Sequence, residues 1–184
     1  GIAVDDPEAL AKAASQAKGC DMLVTLGGAS VGEHDLVQGV LAEKGRNLDF
    51  WRIAMRPGKP LMFGRYDGMP LLGLPGNPVS SMVCAVIFLR PAIRRMLGLT
   101  QPVDAFQHGR LGRDIPANDR REEYLRATLS RDHTGNAILT PFSRQDSSML
   151  SVMARADTLV LRPAHAPAMS TGAEVEYLAL DGIA

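Results

Sequence analysis

Up to about residue 98 the apolar positions follow two alternating rhythms. Ala9–Lys18, rich in Ala, Lys and Gln, follows Asp6-Pro7, which predicts a helix with proline in its first turn. Asp21–Leu26 is a short apolar run that stops at Gly27-Gly28, as a buried parallel strand does. Glu33–Lys44 places Leu36, Val37, Val40 and Leu41 on one helix face and ends at Gly45. Leu48–Met55, Pro60–Phe63 and Met69–Leu74 read as strands. Pro75-Gly76-Asn77-Pro78 then introduces a long apolar helix, Val79–Leu97, which Pro91 would kink or split. Val83, Ile87 and Phe88 are its expected core positions.

Beyond Gly98–Val103 the pattern changes. Short β-like runs at Tyr124–Leu129, Ala137–Leu139, Thr158–Leu161 and Glu174–Leu180 are punctuated by Gly and Pro, with a helical turn expected at Ser148–Ala154. The pattern predicts a doubly wound α/β domain over 1–100 and a small, mostly-β barrel domain over 101–184. The first half opens with barely a strand before its first helix, fewer strands than a doubly wound domain uses. It is therefore expected to be N-terminally truncated, lacking its first strand or strands.

Composition narrows the function. Twenty Lys+Arg balance twenty Asp+Glu, which argues against a dedicated nucleic-acid binder, because phosphate affinity needs surplus clustered cations. The run Val79–Leu89 carries Ser80 and Ser81, ends at Arg90 and is too short to span a bilayer. Two cysteines, Cys20 and Cys84, make neither a disulfide scaffold nor a four-cysteine zinc site, and both are expected to be buried, reduced thiols. A cytoplasmic protein is the expectation.

Four segments could carry chemistry. Gly27-Gly28-Ala29-Ser30-Val31-Gly32, between a strand and a helix, is either a tight turn or a set of N–H donors for a phosphate. Glu33-His34-Asp35 follows; Glu33 suits a helix dipole, while Asp35 and the Asp5/Asp6 pair could hold magnesium against substrate phosphates. Phe50–Pro60 presents Arg52, Arg56 and Lys59 with no acid after Asp49, and Arg52 and Arg56 would share one side of a strand. It is either a solvated basic loop or a rigid anion site. Pro75-Gly76-Asn77-Pro78-Val79-Ser80 reads as a helix start with Asn77 as cap and Pro78 at the first position, and its free N–H groups could also face an anion. All four would sit at strand ends, where one crevice could hold a phosphorylated ligand with a metal.

Gly27–Gly32 followed by Asp35, then Arg56-Pro57-Gly58-Lys59-Pro60, then Leu74–Ser80, in this order, resembles the molybdopterin molybdenumtransferase family, the group of bacterial MoeA and the eukaryotic gephyrin E-domain. Arg121-Glu122-Glu123-Tyr124-Leu125-Arg126 resembles its Arg-rich strand and Gln145-Asp146-Ser147-Ser148 its Gln-x-Ser-Ser segment. The resemblance covers essentially the whole chain. It implies a MogA-like α/β domain followed by the family's β-barrel, in a cytoplasmic homodimer. The implied reaction inserts molybdate into adenylylated molybdopterin with release of AMP and with magnesium assisting. A molybdopterin adenylyltransferase would act upstream, with no nucleic-acid or membrane partner.

The site residues so implied are Asp35, Arg56 and Lys59 for catalysis, with Asp35 and Asp5 for Mg2+. For substrate they are Gly27, Gly28, Ser30, Gly32, Arg52, Pro75, Asn77, Pro78, Ser80, Arg121 and Ser147. Arg52 and Arg56 stand where many relatives have Lys, and the family's further N-terminal domains are not represented. A non-catalytic docking module, or a fragment inactive without those domains, is the alternative. A protein that only adenylylates molybdopterin is disfavoured by the second domain.

Overall fold

The computed structural model describes residues 1–27, 48–99 and 105–180. The expected helix Glu33–Lys44 lies outside the described residues. The chain divides into two compact units, one of Gly1–Ile53 with Gly58–Leu89, the other of Ala54–Pro57 with Arg90–Ala184.

In the first unit, α1 (Pro7–Ser15) starts where the Asp6 carboxylate accepts from Ala9 N at 2.8 Å, with Pro7 at a position whose N–H would have no helical partner. Four strands form its sheet: β1 (Leu23–Leu26), β2 (Leu48–Trp51), β4 (Met62–Tyr66) and β5 (Met69–Leu74), in the order β1-β5-β4-β2. β3 (Met55–Arg56) belongs to the other unit. β1 and β5 run parallel, Leu26 opposite Leu74, so both chains leave the sheet at the same end. β4 and β5 form a hairpin whose two turn residues, Asp67 and Gly68, both take positive φ, matching strand twist. Leu61, Met62, Leu71, Val79 and Val83 are sealed in the core.

The expected single helix Val79–Leu97 is three successive elements: α2 (Pro78–Cys84), a π turn (Ala85–Leu89) and α3 (Arg90–Met96). The π turn ends two residues before Pro91. Proline has no N–H for the Ile87 carbonyl, and widening the helix there removes the clash its ring would make. Val83 is buried as expected, whereas Ile87 and Phe88 are only half-buried. Cys84 is sealed and its thiol is pushed up to about 12 by burial. Cys20 corrects the expectation of two buried thiols. It is exposed, because α1 ends at Ser15 and the chain turns outward through Gly19.

The second unit is a barrel. β6 (Gln107–Leu111), β7 (Glu122–Arg131), β8 (Ala137–Pro141), β9 (Thr158–Arg162) and β10 (Glu174–Ala179) pair in the order β7-β8-β6-β10-β9, and β9 closes on β7. Closure leaves these five strands without a free edge. β3 pairs parallel with the start of β7, through Met55–Glu122 and Arg56–Glu123. The interior is filled by Leu111, Leu125, Leu139, Val160, Val175 and Tyr177. A short helix, α4 (Leu150–Met153), occupies the expected helical turn. Strand β6 is unforeseen in the sequence, since only Gly109 and Leu111 of its five residues are buried. Among the described residues no helix is long and apolar enough to cross a membrane.

Candidate functional site

At the carboxyl ends of β1 and β5 two glycine turns meet. Gly27, at φ 84°, donates its N–H to Leu74 O at 3.1 Å. A methyl group on Gly76 would stand 3.3 Å from Gly27 Cα, so the close passage favours glycine at 76, while at 27 it is the positive φ that does. Beside them a cavity of about 410 Å³ opens between the N-terminal segment, α1 and β1, and both Asp5 and Gly27 line it. Gly28, Ser30, Gly32 and Asp35 lie outside the described residues. Pro75 is buried, and Asn77 caps α2 by accepting from Ser80 N at 3.0 Å, with Pro78 at the first helical position. Ser80 itself is buried at the helix start. Among the described residues no group of three or more His, Cys, Asp or Glu is arranged to hold a metal.

The basic segment does not form the single strand expected over Leu48–Met55. β2 stops at Trp51, and Arg52 takes φ 96°, which breaks the extended run. Arg52 N still donates to Leu61 O and Ile53 N to Lys59 O, both at 3.0 Å, so the backbone on either side of the excursion stays tied to the first unit. Residues 54–57 leave it and become β3 of the barrel sheet, with a cis peptide at Arg56-Pro57. Arg52 and Arg56 therefore do not share one strand face. Arg52 and Lys59 are exposed on the first unit, and Arg56 belongs to the second.

In the barrel unit Arg56 meets acids that its own segment lacks. Its Nε and Nη2 lie 2.9 and 2.7 Å from Glu123 Oε1, and its Nη1 is 3.5 Å from Asp119 Oδ2. Asp119 in turn holds Arg121, accepting from its backbone N at 2.8 Å and from its Nη2 at 2.9 Å. Two guanidiniums drawn from segments 65 positions apart thus converge on one carboxylate. The hydrogen bonds from the Arg121 side chain and backbone, aided by the charges of Arg121 and Arg56, pull Asp119 down to about 2.

This cluster has a pH signature. A depressed carboxyl contributes its stability above the unfolded-state value, and that contribution is lost as pH falls through the folded value. The Asp119 carboxyl carbon, followed by NMR, is expected to titrate near 2 rather than at the ordinary 3.8. An ordinary midpoint would mean that the Arg56–Asp119–Arg121 contact is not made in solution.

Next on β7 comes Arg126, fully buried. Its backbone N and Nε donate to Gln145 Oε1 at 3.0 and 3.1 Å, and its Nη1 donates to Asp146 O at 3.0 Å. Gln145 Nε2 returns hydrogen bonds to the carbonyls of Arg126 and Phe142, both at 2.9 Å. This clamp fixes the segment that carries half-buried Ser147. Asp119 and Glu123 escape a reading of the sequence, because their partner Arg56 is far away in the chain. The available signal is a pair of acids, Glu122-Glu123, opening an apolar strand; an acid sealed there needs a cation.

Residues 1–95 match the family described as "Probable molybdopterin binding domain", and residues 108–180 match "MoeA C-terminal region (domain IV)". The chain is 32% identical to the molybdopterin molybdenumtransferase of Nostoc sp., over 98% of its own length and 42% of the relative's. It is also 32% identical to molybdopterin molybdenumtransferase 1 of Mycobacterium tuberculosis, over 99% of its length and 45% of the relative's. A solved structure, the molybdopterin biosynthesis moea protein from Pyrococcus horikosii, superposes with a TM-score of 0.79 at 29% identity, over 99% of this chain and 43% of that one. The chain thus spans less than half the length of these relatives.

Proposed function

Because the chain belongs to the molybdopterin molybdenumtransferase family, with its molybdopterin-binding domain and its C-terminal domain, we propose that it serves molybdenum cofactor biosynthesis by inserting molybdate into adenylylated molybdopterin with release of AMP. The observation that carries this reading is the convergence of Arg56 and Arg121 on one carboxylate. Molybdate is a tetrahedral dianion, and paired guanidiniums supply the charge-assisted donors that offset the loss of its water. Ser147, on the segment held by Arg126 and Gln145, adds a hydroxyl.

In the α/β unit the carboxyl ends of β1 and β5 are where ligands of open α/β sheets bind. Gly27, Gly28, Ser30 and Gly32 would cradle the adenylylated phosphate there, with Arg52 and Lys59 as cations and with Pro75, Asn77, Pro78 and Ser80 shaping the neighbouring turn. Asp35 and Asp5 would hold magnesium. Their hard carboxylate oxygens suit an ion that takes one or two protein carboxylates and fills its remaining positions with water and substrate phosphate. Asp5 lines the cavity beside Gly27, which fits that assignment. Bound magnesium would offset charge on the phosphate as AMP leaves. A homodimer in the cytoplasm, supplied by a molybdopterin adenylyltransferase, completes the proposal.

Binding of adenylylated molybdopterin to the 184-residue chain, with and without magnesium, tests it. Lys59→Ala is expected to weaken binding about tenfold, the worth of one charge-assisted hydrogen bond to phosphate. Its melting temperature should not change, since Lys59 is exposed. Unaltered affinity would remove Lys59 from the site, and no binding by the wild-type chain would sink the substrate assignment.

A further inference from the structure

Asp119 stands where two guanidiniums could share an oxyanion. Its Oδ2 is 2.9 Å from Arg121 Nη2 and 3.5 Å from Arg56 Nη1. Glu123 occupies the other two nitrogens of Arg56, so Nη1 is the one turned to Asp119. A carboxylate and a tetrahedral oxyanion offer a guanidinium the same kind of acceptor. The formal charges of Arg56, Arg121, Asp119 and Glu123 sum to zero, so the cluster has little net attraction for an anion while the Asp119 carboxylate remains in place. The side chains of Arg56, Arg121 and Asp119 are 31–44% exposed, open to a solute ion. Ion pairs this exposed are individually weak, and a dianion brings twice the charge of the carboxylate it displaces.

Displacement asks for a side-chain rotation, which also gives up the hydrogen bond from Arg121 N to Asp119 Oδ1. The backbone around Asp119 is held independently, its carbonyl accepting from His165 N at 2.7 Å and the Arg121 carbonyl from Asn118 Nδ2 at 2.7 Å. We propose that Asp119 is an internal competitor: it holds Arg56 and Arg121 in position, and a tetrahedral dianion must displace it to bind between them. This rests on the reading of the cluster as the oxyanion site. Asp119 then sets the affinity of that site, and removing its charge tightens binding.

Calorimetric titration of molybdate into the 184-residue chain at fixed ionic strength, for wild type, Asp119→Asn and Arg121→Ala, tests the two layers separately. Asparagine can keep the acceptor for Arg121 N, and a thermal melt confirms that each variant is folded. Asp119→Asn is expected to bind molybdate about two- to fivefold more tightly, the span of an exposed ion pair, and Arg121→Ala about tenfold more weakly. Binding by Asp119→Asn but not by wild type would also support the competitor. If Arg121→Ala weakens binding and Asp119→Asn does not tighten it, the competitor is overturned and the oxyanion site stands. If Arg121→Ala binds as wild type does, or no chain binds, both are overturned.

Discussion

Glu123→Ala is expected to destabilise the barrel unit by about 3 kcal/mol, the scale for removing a buried carboxylate that compensates buried cations. Glu123 lies on β7 between two strands, in register with Arg56 on β3 and with Arg162 on β9. Arg126 and Arg162 are almost fully buried, and their hydrogen bonds run to main-chain carbonyls and to Gln145 rather than to acids. Burial lowers the pKa of both guanidiniums. The field of Glu123 opposes that shift at both, joined at Arg126 by the larger one of Asp146. Removing Glu123 leaves this buried positive charge less compensated. Arg56 is half exposed and can turn to water, which keeps the expected loss at the low end of the range. A fall in melting temperature of roughly 12 °C or more would follow for a unit of this size. Glu123→Gln, which keeps an acceptor for Arg56, should lose less. A Glu123→Ala melting point matching wild type would show that the arginines are stabilised without it.

Gly109→Val is expected to be comparably damaging, at about 3 kcal/mol by overpacking. Gly109 sits opposite Val175 in β6 with its face turned into the barrel. A Cβ there would fall on Leu139 Cδ2 and would stand 3.0 Å from the Ala137 carbonyl oxygen. The Leu139 side chain could shift, but the backbone oxygen of β8 is fixed by its pairing with β7 and β6. Urea denaturation measures the loss; a midpoint unchanged from wild type would mean that the barrel interior is looser than this packing implies.

The same glycine explains why part of the fold was hard to read. Met69–Leu74 is observed as a strand with the bounds its apolar run predicts, and Asp6 and Asn77 cap their helices, because local chemistry decides each of these. In β6 one of the two inward positions is a glycine, since Leu139 fills that space from the neighbouring strand β8. The apolar alternation that marks a half-buried strand is therefore missing. Leu48–Met55 looked like one strand because Phe50-Trp51 and Ile53-Ala54-Met55 are apolar around a single arginine. The positive φ of Arg52, which ends β2, has no signature in residue type.

The cations of the candidate site were legible one by one, but their counter-charges were not. Arg56 has no acid in its own segment, yet Glu123 and Asp119 reach it from more than sixty positions away through the parallel pairing of β3 with β7. Arg121 and Ser147 were recognisable only by resemblance to the family. The clamp that Arg126 and Gln145 make around the Ser147 segment depends on tertiary contact and shows only in the structure.

The most direct test of the proposed role is AMP release from adenylylated molybdopterin by the 184-residue chain in the presence of magnesium, with and without molybdate. AMP is expected to appear with molybdate, and Arg121→Ala is expected to lose this molybdate dependence. AMP release that is indifferent to molybdate, or that Arg121→Ala supports as well as wild type, would contradict it.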